Sequence, residues 1–187
     1  MIDLGLTSQF CAYKLLTQLV LTHGERTVYH RGEYMVKKDE YNDQLALIKR
    51  GAFKYTHQDY KGNERILSFA FENDLIGCYI PARIKQPAMF SVQALEASVV
   101  LQVSMSKVTD LFQQESEYHL SDTLAYAFLQ KFVSAACDSP WQRYNTLIQK
   151  VPHILNRISQ KDIASYIGVR PETLSRMRTD FVKLDNG

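Results

Sequence analysis

The sequence has no uninterrupted run of apolar residues close to the roughly 20 that a membrane-spanning helix needs. Polar residues break every apolar stretch, including the one from Leu16 to Leu21. Near the start of the chain, Asp3 precedes the first basic residue, Lys14, and there is no continuous apolar segment, so a secretory signal is not predicted. We therefore expect a protein without a membrane span that works in the cytoplasm.

Cysteine is also scarce, with three residues far apart in the sequence: Cys11, Cys78 and Cys137. An odd number of cysteines at such spacing fits neither a disulfide framework nor a Cys-x-x-Cys metal site. We expect three reduced thiols.

The sequence lacks clustered histidines and catalytic motifs. Its five histidines stand singly: His23, His30, His57, His119 and His153. A small β-roll metalloenzyme of the cupin type would need two or three converging imidazoles. There is also no Gly-x-Ser-x-Gly elbow and no phosphate-binding glycine loop. We expect no catalytic residue and no bound metal, and the cupin-like metalloenzyme is the alternative from the enzyme class.

Basic residues are concentrated towards the end of the chain. Residues 1–139 contain 14 Lys and Arg against 16 Asp and Glu, whereas residues 140–187 contain 8 against 4. The net charge of +2 is therefore the sum of −2 in the first part and +4 in the second. A basic segment suits a polyanionic partner, although an imbalance of this size also occurs on ordinary solvated surfaces.

The first half of the chain has the pattern of short strands. Apolar and β-branched runs recur at Leu45–Ile48, Phe53–His57, Ile66–Phe71 and Val99–Met105. Turn signals rich in glycine, asparagine and aspartate separate these runs. The pattern predicts one compact antiparallel β-roll.

After Ser106 the apolar spacing changes to that of a helix. Apolar residues recur at steps of four: Leu120, Leu124, Phe128 and Phe132. A second side, with Ala127 and Lys131, also needs a partner, and the same helix of a second copy is the simplest one. Pro140 pushes Ser139 out of the helical region. We predict a dimerisation helix that ends at a hinge there.

The segment from Ile158 to Phe181 predicts two helices joined by a tight turn. Ser159 can cap the first helix, Gly168 suits the left-handed residue that ends it, and Pro171 suits the start of the second. Apolar and small residues have the spacing that packs two helices at a steep angle. These residues are Ile163, Ala164, Ile167, Val169, Leu174 and Met177. The alternative is an unrelated helical hairpin.

In a helix-turn-helix, polar residues at the start of the second helix point outwards and can enter a major groove of DNA. Here they are Arg170, Glu172, Thr173, Ser175 and Arg176. Arg176 can donate two hydrogen bonds to a guanine, and Glu172 can accept one from a cytosine. The start of the first helix suits phosphate contacts. Its candidates are Ser159, Gln160 and Lys161.

The stretch from Ser159 to Arg176 resembles the DNA-binding motif of the Crp/Fnr family of bacterial transcription regulators, above all in its Glu-Thr-x-Ser-Arg ending. Upstream residues resemble the cyclic-nucleotide-binding-type β-roll of the same family. They are Gly51, Lys54, Gly62, Glu64, Leu67, Asn73-Asp74, Ile76-Gly77 and Ala94.

The resemblance implies an α+β chain with a sensory β-roll over residues 1–114, a dimerisation helix and hinge over 115–139, and a helix-turn-helix domain over 140–187. Only six residues follow Phe181, so a full β-hairpin wing is not expected. The resemblance also implies partners: double-stranded DNA with a palindromic operator, a second copy of the chain, and RNA polymerase. Arg176 and Glu172 are then the base readers, with Ser159 and Gln160 on phosphates.

The match departs from the family at the effector site. Members that bind cyclic AMP have a glutamate where Cys78 stands and an Arg-Ser pair near Ala88-Met89. A buried phosphate without a counter-ion costs several kcal/mol, so cyclic AMP is not expected here. An iron–sulfur cluster would need more cysteines than Cys11 supplies. Any small-molecule effector is unknown, and its predicted pocket comprises Ile76, Gly77, Cys78, Ala88 and Met89.

A regulator that acts only through protein partners, with a vestigial DNA motif, is the remaining alternative. The intact outward residues Glu172, Ser175 and Arg176 argue against it.

Overall fold

A computed structural model describes residues 11–111, 126 and 129–185 of the chain. The chain divides into two compact units, Met1–Gln130 and Lys131–Gly187. The strands are β1 Glu25–Tyr29, β2 Tyr34–Val36, β3 Gln44–Arg50, β4 Phe53–Gln58, β5 Glu64–Ala70, β6 Leu75–Gly77, β7 Ser91–Ala94 and β8 Ser98–Ser104. The helices are α1 Cys11–His23, α2 Tyr79–Arg83, α3 Met105–Leu111, α4 over 129–137, α5 Pro140–Lys150, α6 Ile154–Arg157, α7 Gln160–Ile167 and α8 Pro171–Asp185.

The strands of the first unit form two four-stranded sheets in which all neighbours are antiparallel. The first sheet has the order β1-β8-β3-β6, and the second has the order β2-β7-β4-β5. Side chains from both sheets meet in one inner core, which includes Ala46, Ile48, Phe53, Val92 and Val100. The predicted antiparallel β-roll is therefore confirmed.

The outer face of the first sheet is also buried, because α1 packs on it. Leu16 and Val20 of α1 share a core cluster with Leu47 and Val103 of the sheet. The hydroxyl of Tyr13 on α1 accepts a hydrogen bond from the backbone N–H of Leu75 at 3.2 Å. Burial on both faces explains why β3 contains a continuous apolar run instead of an alternating one. Neither α1 nor the short helix α2 was predicted from the sequence.

Gly51 makes the turn between β3 and β4 possible. Its φ is +109°, and a Cβ there would lie 2.1 Å from Oγ of Ser98, which is fully buried. Only glycine adopts this conformation without strain and leaves the space that Ser98 fills. The turn signal at Arg50-Gly51 thus has a steric as well as a conformational cause.

The predicted dimerisation helix lies largely outside the described residues, since Leu120, Leu124, Ala127 and Phe128 are not among them. Its described part is α4. The three-part division into 1–114, 115–139 and 140–187 therefore stays a prediction.

The regular secondary structure of the second unit is all helical over its described part, residues 131–185, with short turns between the helices. Ser139 is extended, as expected before a proline, and it forms a complete capping box with Gln142 at the start of α5. A small core joins α5, α6, α7 and α8. Its buried residues are Tyr144, Leu147, Ile154, Ile158, Ile163, Ala164, Ile167 and Leu174. The C-terminal helical domain is confirmed, and α8 continues past Phe181 to Asp185.

The two cysteines with described side chains differ in environment. Cys78 is buried in the inner core and Cys137 is exposed. Burial raises the pKa of the Cys78 thiol from 9.0 to about 12. Because the raised pKa favours the neutral thiol in the folded state, its contribution to stability is complete below about pH 9 and is lost as the pH rises towards the folded pKa.

We predict that only Cys137 reacts rapidly in the native protein, because the thiolate is the nucleophile and Cys78 stays protonated and enclosed. Thiol titration of a Cys11→Ser variant with Ellman's reagent near about pH 8 should show one fast equivalent, and a second only after denaturation. The Cys11→Ser, Cys137→Ser double variant is the control and should show no fast phase. Two fast equivalents in the native Cys11→Ser protein would contradict the assigned burial of Cys78.

Candidate nucleic-acid interface

The turn between α7 and α8 is built by local residues. Ser159 precedes α7, and its Oγ accepts a hydrogen bond from the backbone N–H of Asp162 at 3.1 Å. Gly168 ends the helix with φ 82° and ψ 29°, in the left-handed region. Pro171 is the first residue of α8. The predicted cap, turn glycine and helix-starting proline are all confirmed.

Close packing holds the two helices together. Ile163 and Ile167 on α7 and Leu174 on α8 are each 0% exposed, as is Ala164. The carbonyl of Ala164 accepts hydrogen bonds from the N–H groups of both Gly168 and Val169, at 3.0 and 2.9 Å. These bonds satisfy a carbonyl that the end of a helix would leave unpaired. The chain therefore reverses immediately after α7 and brings the buried face of α8 against it.

All eight residues predicted to contact DNA are exposed. Ser159, Gln160 and Lys161 lie at the start of α7, Arg170 lies just before α8, and Glu172, Thr173, Ser175 and Arg176 lie in the first two turns of α8. Leu174, between them, points inwards. The structure thus places the predicted base-reading residues on the exposed side of α8, opposite the side that packs in the domain.

This surface is net positive. Lys161, Arg170 and Arg176 are three cations against the single carboxylate of Glu172. Arginine presents a planar set of donors that can bond both acceptors on a guanine edge, whereas the lysine ammonium acts as a point charge on phosphate. The chemistry of the surface suits an anionic duplex that is read at its base edges.

One exposed residue of α8 was missed by the sequence analysis. Thr179 lies one turn after Arg176 and four residues after Ser175, so it continues the same exposed side. Its Oγ1 donates a hydrogen bond to the carbonyl of Ser175 at 3.1 Å. The i, i+3 spacing from Arg176 could have indicated it, but the motif used for the prediction ends at Arg176.

The five residues of the predicted effector pocket have different environments. Ile76, Cys78 and Ala88 belong to the inner core and are at most 2% exposed, whereas Met89 is 70% exposed. Gly77 has φ 137° at the end of β6. This pocket stays a prediction.

Aromatic side chains occupy the inner core beside those residues. The rings of Tyr55 and Phe90 pack edge to face with centroids 5.2 Å apart, and Tyr29 packs in the same way on Phe53. Among the described residues, the buried hydroxyl of Tyr55 has no hydrogen-bond partner. The buried polar residues in the described part of the chain are Thr56, Ser68 and Ser98, so none of the buried side chains there is charged. A phosphate placed there would lack a counter-ion.

A cavity of about 300 Å³ lies elsewhere on the first unit. Its walls carry both signs of charge, including Lys37, Lys38, Asp39, Glu40 and Glu64. Lys37 lies 3.9 Å from Glu40, and Lys38 lies 3.0 Å from Asp39, so neighbouring side chains already balance much of this charge. None of the five predicted effector residues lines it.

Two kinds of feature are absent from the part of the chain that the structure describes. No group of three or more His, Cys, Asp or Glu side chains there could hold a metal ion. Over the same residues, no helix combines the length and apolar character that crossing a membrane requires.

Comparison with known proteins matches residues 26–115 to the cyclic nucleotide-binding domain family. No curated protein matches the sequence. The structure is similar to that of FixK2 from Bradyrhizobium japonicum, with a TM-score of 0.72 and 16% identity over 87% of this chain and 86% of that one.

Two further similar structures are those of a global regulator and of an activator protein. The c-di-GMP-responsive global regulator CLP of Xanthomonas campestris gives a TM-score of 0.65 and 14% identity over 92% of this chain and 93% of that one. The catabolite activator protein of Thermus thermophilus gives 0.55 and 18% over 90% and 83%. Residues 26–115 thus match the cyclic nucleotide-binding domain family, and the two antiparallel sheets, the helix-turn-helix and the similar structures together show that the chain has the fold of the Crp/Fnr regulators.

Proposed function

We propose that this protein is a dimeric transcription regulator that binds a palindromic DNA operator through α7 and α8. The proposal is carried by the exposure of all eight predicted contact residues on a helix-turn-helix whose cap and turn are confirmed. The structurally similar CLP is a global regulator that controls gene expression, which supports a regulatory role over an enzymatic one. Such a protein would work in the cytoplasm with RNA polymerase as a further partner.

The roles of the contact residues follow from their chemistry. Arg176 and Glu172, four residues apart on one side of α8, read base edges, and Arg170, Thr173 and Ser175 flank them. Ser159, Gln160 and Lys161 contact phosphates from the start of α7, where free backbone N–H groups favour anions.

Helix α4, the described part of the predicted dimerisation helix, supports a dimer. On α4, Leu129, Phe132 and Val133 are 61%, 71% and 54% exposed. Apolar side chains at this density on one helix are costly in water and are covered most simply by the same helix of a second copy. We propose that residues 115–139 form this dimerisation helix, between a sensory domain over 1–114 and a DNA-binding domain over 140–187.

Replacing Phe132 by aspartate should dissociate the dimer, because a charge would be buried in an apolar helix pair. Sedimentation at micromolar concentration should give the mass of two chains for the wild type and of one for Phe132→Asp. Tyr60→Asp is the matched control, since Tyr60 is 91% exposed on the β4–β5 hairpin and should leave the dimer intact. A monomeric wild type, or a dimer unaffected by Phe132→Asp, would remove the proposed interface.

DNA binding is tested by comparing a base reader with a phosphate contact. Selection from a random duplex pool with the wild type gives the operator. Its half-sites should lie about 10 bp apart, because the recognition helices, α8 of each copy, enter successive major grooves. Arg176→Ala should lose about 1 to 3 kcal/mol per half-site and relax the choice of one base pair. Lys161→Ala should weaken binding to the operator and to the scrambled duplex alike. It should also lower the slope of log affinity against log salt concentration by about one per charge.

Both variants are measured over a salt series on operator and scrambled duplexes. Lys61→Ala, an exposed cation on the β4–β5 hairpin, is the control and should match the wild type. If Arg176→Ala weakened both duplexes equally and kept the wild-type base preference, Arg176 would be a phosphate contact and its proposed reading role would be wrong.

We also propose that cyclic AMP is not the effector of this protein, because the buried polar residues that the structure describes are Thr56, Ser68 and Ser98, and none of them is a cation that could balance its phosphate. Calorimetry should show no measurable binding of cyclic AMP at micromolar concentration. Adenosine lacks the phosphate, so comparing its binding with that of cyclic AMP separates the effect of the phosphate charge from the effect of the base. Micromolar affinity for cyclic AMP would show that the charge is compensated and that the proposal fails.

A further inference from the structure

Arg143 connects the ends of two helices in the second unit. It is the fourth residue of α5 and is half-buried. Its guanidinium donates from Nε and Nη2 to the carbonyl of Ile167, at 3.1 and 2.7 Å, where α7 ends. Nη1 donates to the carbonyl of Asp138 at 2.6 Å and more weakly to that of Ala135 at 3.4 Å, where α4 ends.

The chemistry of these carbonyls explains why an arginine is suited to this place. The last carbonyls of a helix have no partner within the helix and carry partial negative charge. Backbone N–H groups already satisfy Ala164 and Ser165 near the end of α7, and Arg143 supplies the donors for Ile167. A lysine has one ammonium group on a flexible stem and cannot hold both helix ends with a rigid planar fork.

The position of Arg143 is itself held firmly. The capping box at the start of α5 pairs the Ser139 N–H with Oε1 of Gln142 at 2.7 Å and the Gln142 N–H with Oγ of Ser139 at 3.2 Å. The N–H of Arg143 then bonds the carbonyl of Ser139 at 3.1 Å. Arg143 therefore extends from a fixed helix start towards Gly168, where a Cβ would lie 3.4 Å from Nη2.

A second basic residue joins the same two helices. Nζ of Lys131 on α4 lies 5.5 Å from the ring centre of Tyr166 and donates to its hydroxyl at 3.4 Å. Tyr166 is the neighbour of Ile167. Two cations thus hold α4 to the last turn of α7, immediately before the turn that positions α8.

From this geometry we propose that Arg143 is a positioning residue that sets the angle between α4 and the helix-turn-helix, and through it the operator spacing that a dimer accepts. The inference rests on the proposed function of a dimeric DNA-binding regulator. Arg143 does not belong to the α7–α8 core, so a single domain without it keeps its recognition surface. What changes is how firmly α8 is oriented relative to α4, the helix that carries Phe132 and Val133.

The experiment measures binding of the full-length protein to three kinds of duplex: the selected operator, the same operator with one central base pair inserted or deleted, and a single half-site. The wild type should prefer the selected spacing by at least about fivefold, the lower end of the usual coupling between two sites. Arg143→Ala should reduce this ratio towards one, while its half-site affinity stays within about twofold of the wild type. Lys150→Ala, which removes a cation from the same helix, should keep the wild-type ratio.

Arg143→Lys decides the question if Arg143→Ala does not fold, as judged by circular dichroism. It keeps the charge without the fork, and it should also lose spacing preference. An unchanged spacing ratio in both folded variants, or a half-site affinity that falls as much as operator affinity, would overturn the positioning role. A wild type that shows no spacing preference would overturn it as well. A wild type that binds no duplex would instead refute the proposed function, before any variant is measured.

Discussion

The close packing of α8 on α7 is the contact on which the whole candidate interface depends. Ala164 is the small residue at this contact, and its carbonyl receives the N–H groups of both Gly168 and Val169. The chain therefore turns within three residues, and Leu174 is drawn inwards. Once Leu174 is buried, helical periodicity leaves Glu172 and its neighbours on the opposite side of α8. One packing contact determines which side chains face solvent.

Much of this could be predicted because the causes are local. A cap such as Ser159, a left-handed glycine and a helix-starting proline act within one or two turns of the residues they affect. The β-roll was predictable for a similar reason, since short apolar runs and turn signals alternate along it. Helix α1 was not, because Leu15 and Leu21 are 45% and 41% exposed and obscure the apolar stripe that packs on the sheet.

Interactions between distant parts of the chain could not be inferred from the sequence. Arg143 and the carbonyl of Ile167 are 24 residues apart, and nothing in a sequence shows which backbone carbonyl an arginine will reach. The predicted effector pocket illustrates the same limit. Ile76 and Met89 were grouped by their positions in a motif, yet one lies in the core and the other in solvent because each strand and turn orients its own residues. The spacing of residues along the chain does not determine which of them are buried.

The pairing of β1 with β8 has a consequence for how the protein is made. Glu25 pairs with Gln102 and Tyr29 with Ser98, so the first strand of the first sheet finds its partner only after most of that unit has been synthesised. Contacts so far apart in sequence slow folding, because the intervening loop must close first. While the ribosome is still adding these residues, the unpaired edge and the apolar face under α1 are open to chaperones. Nascent chains of this protein should therefore depend on chaperones more than the local contacts within its helices would suggest.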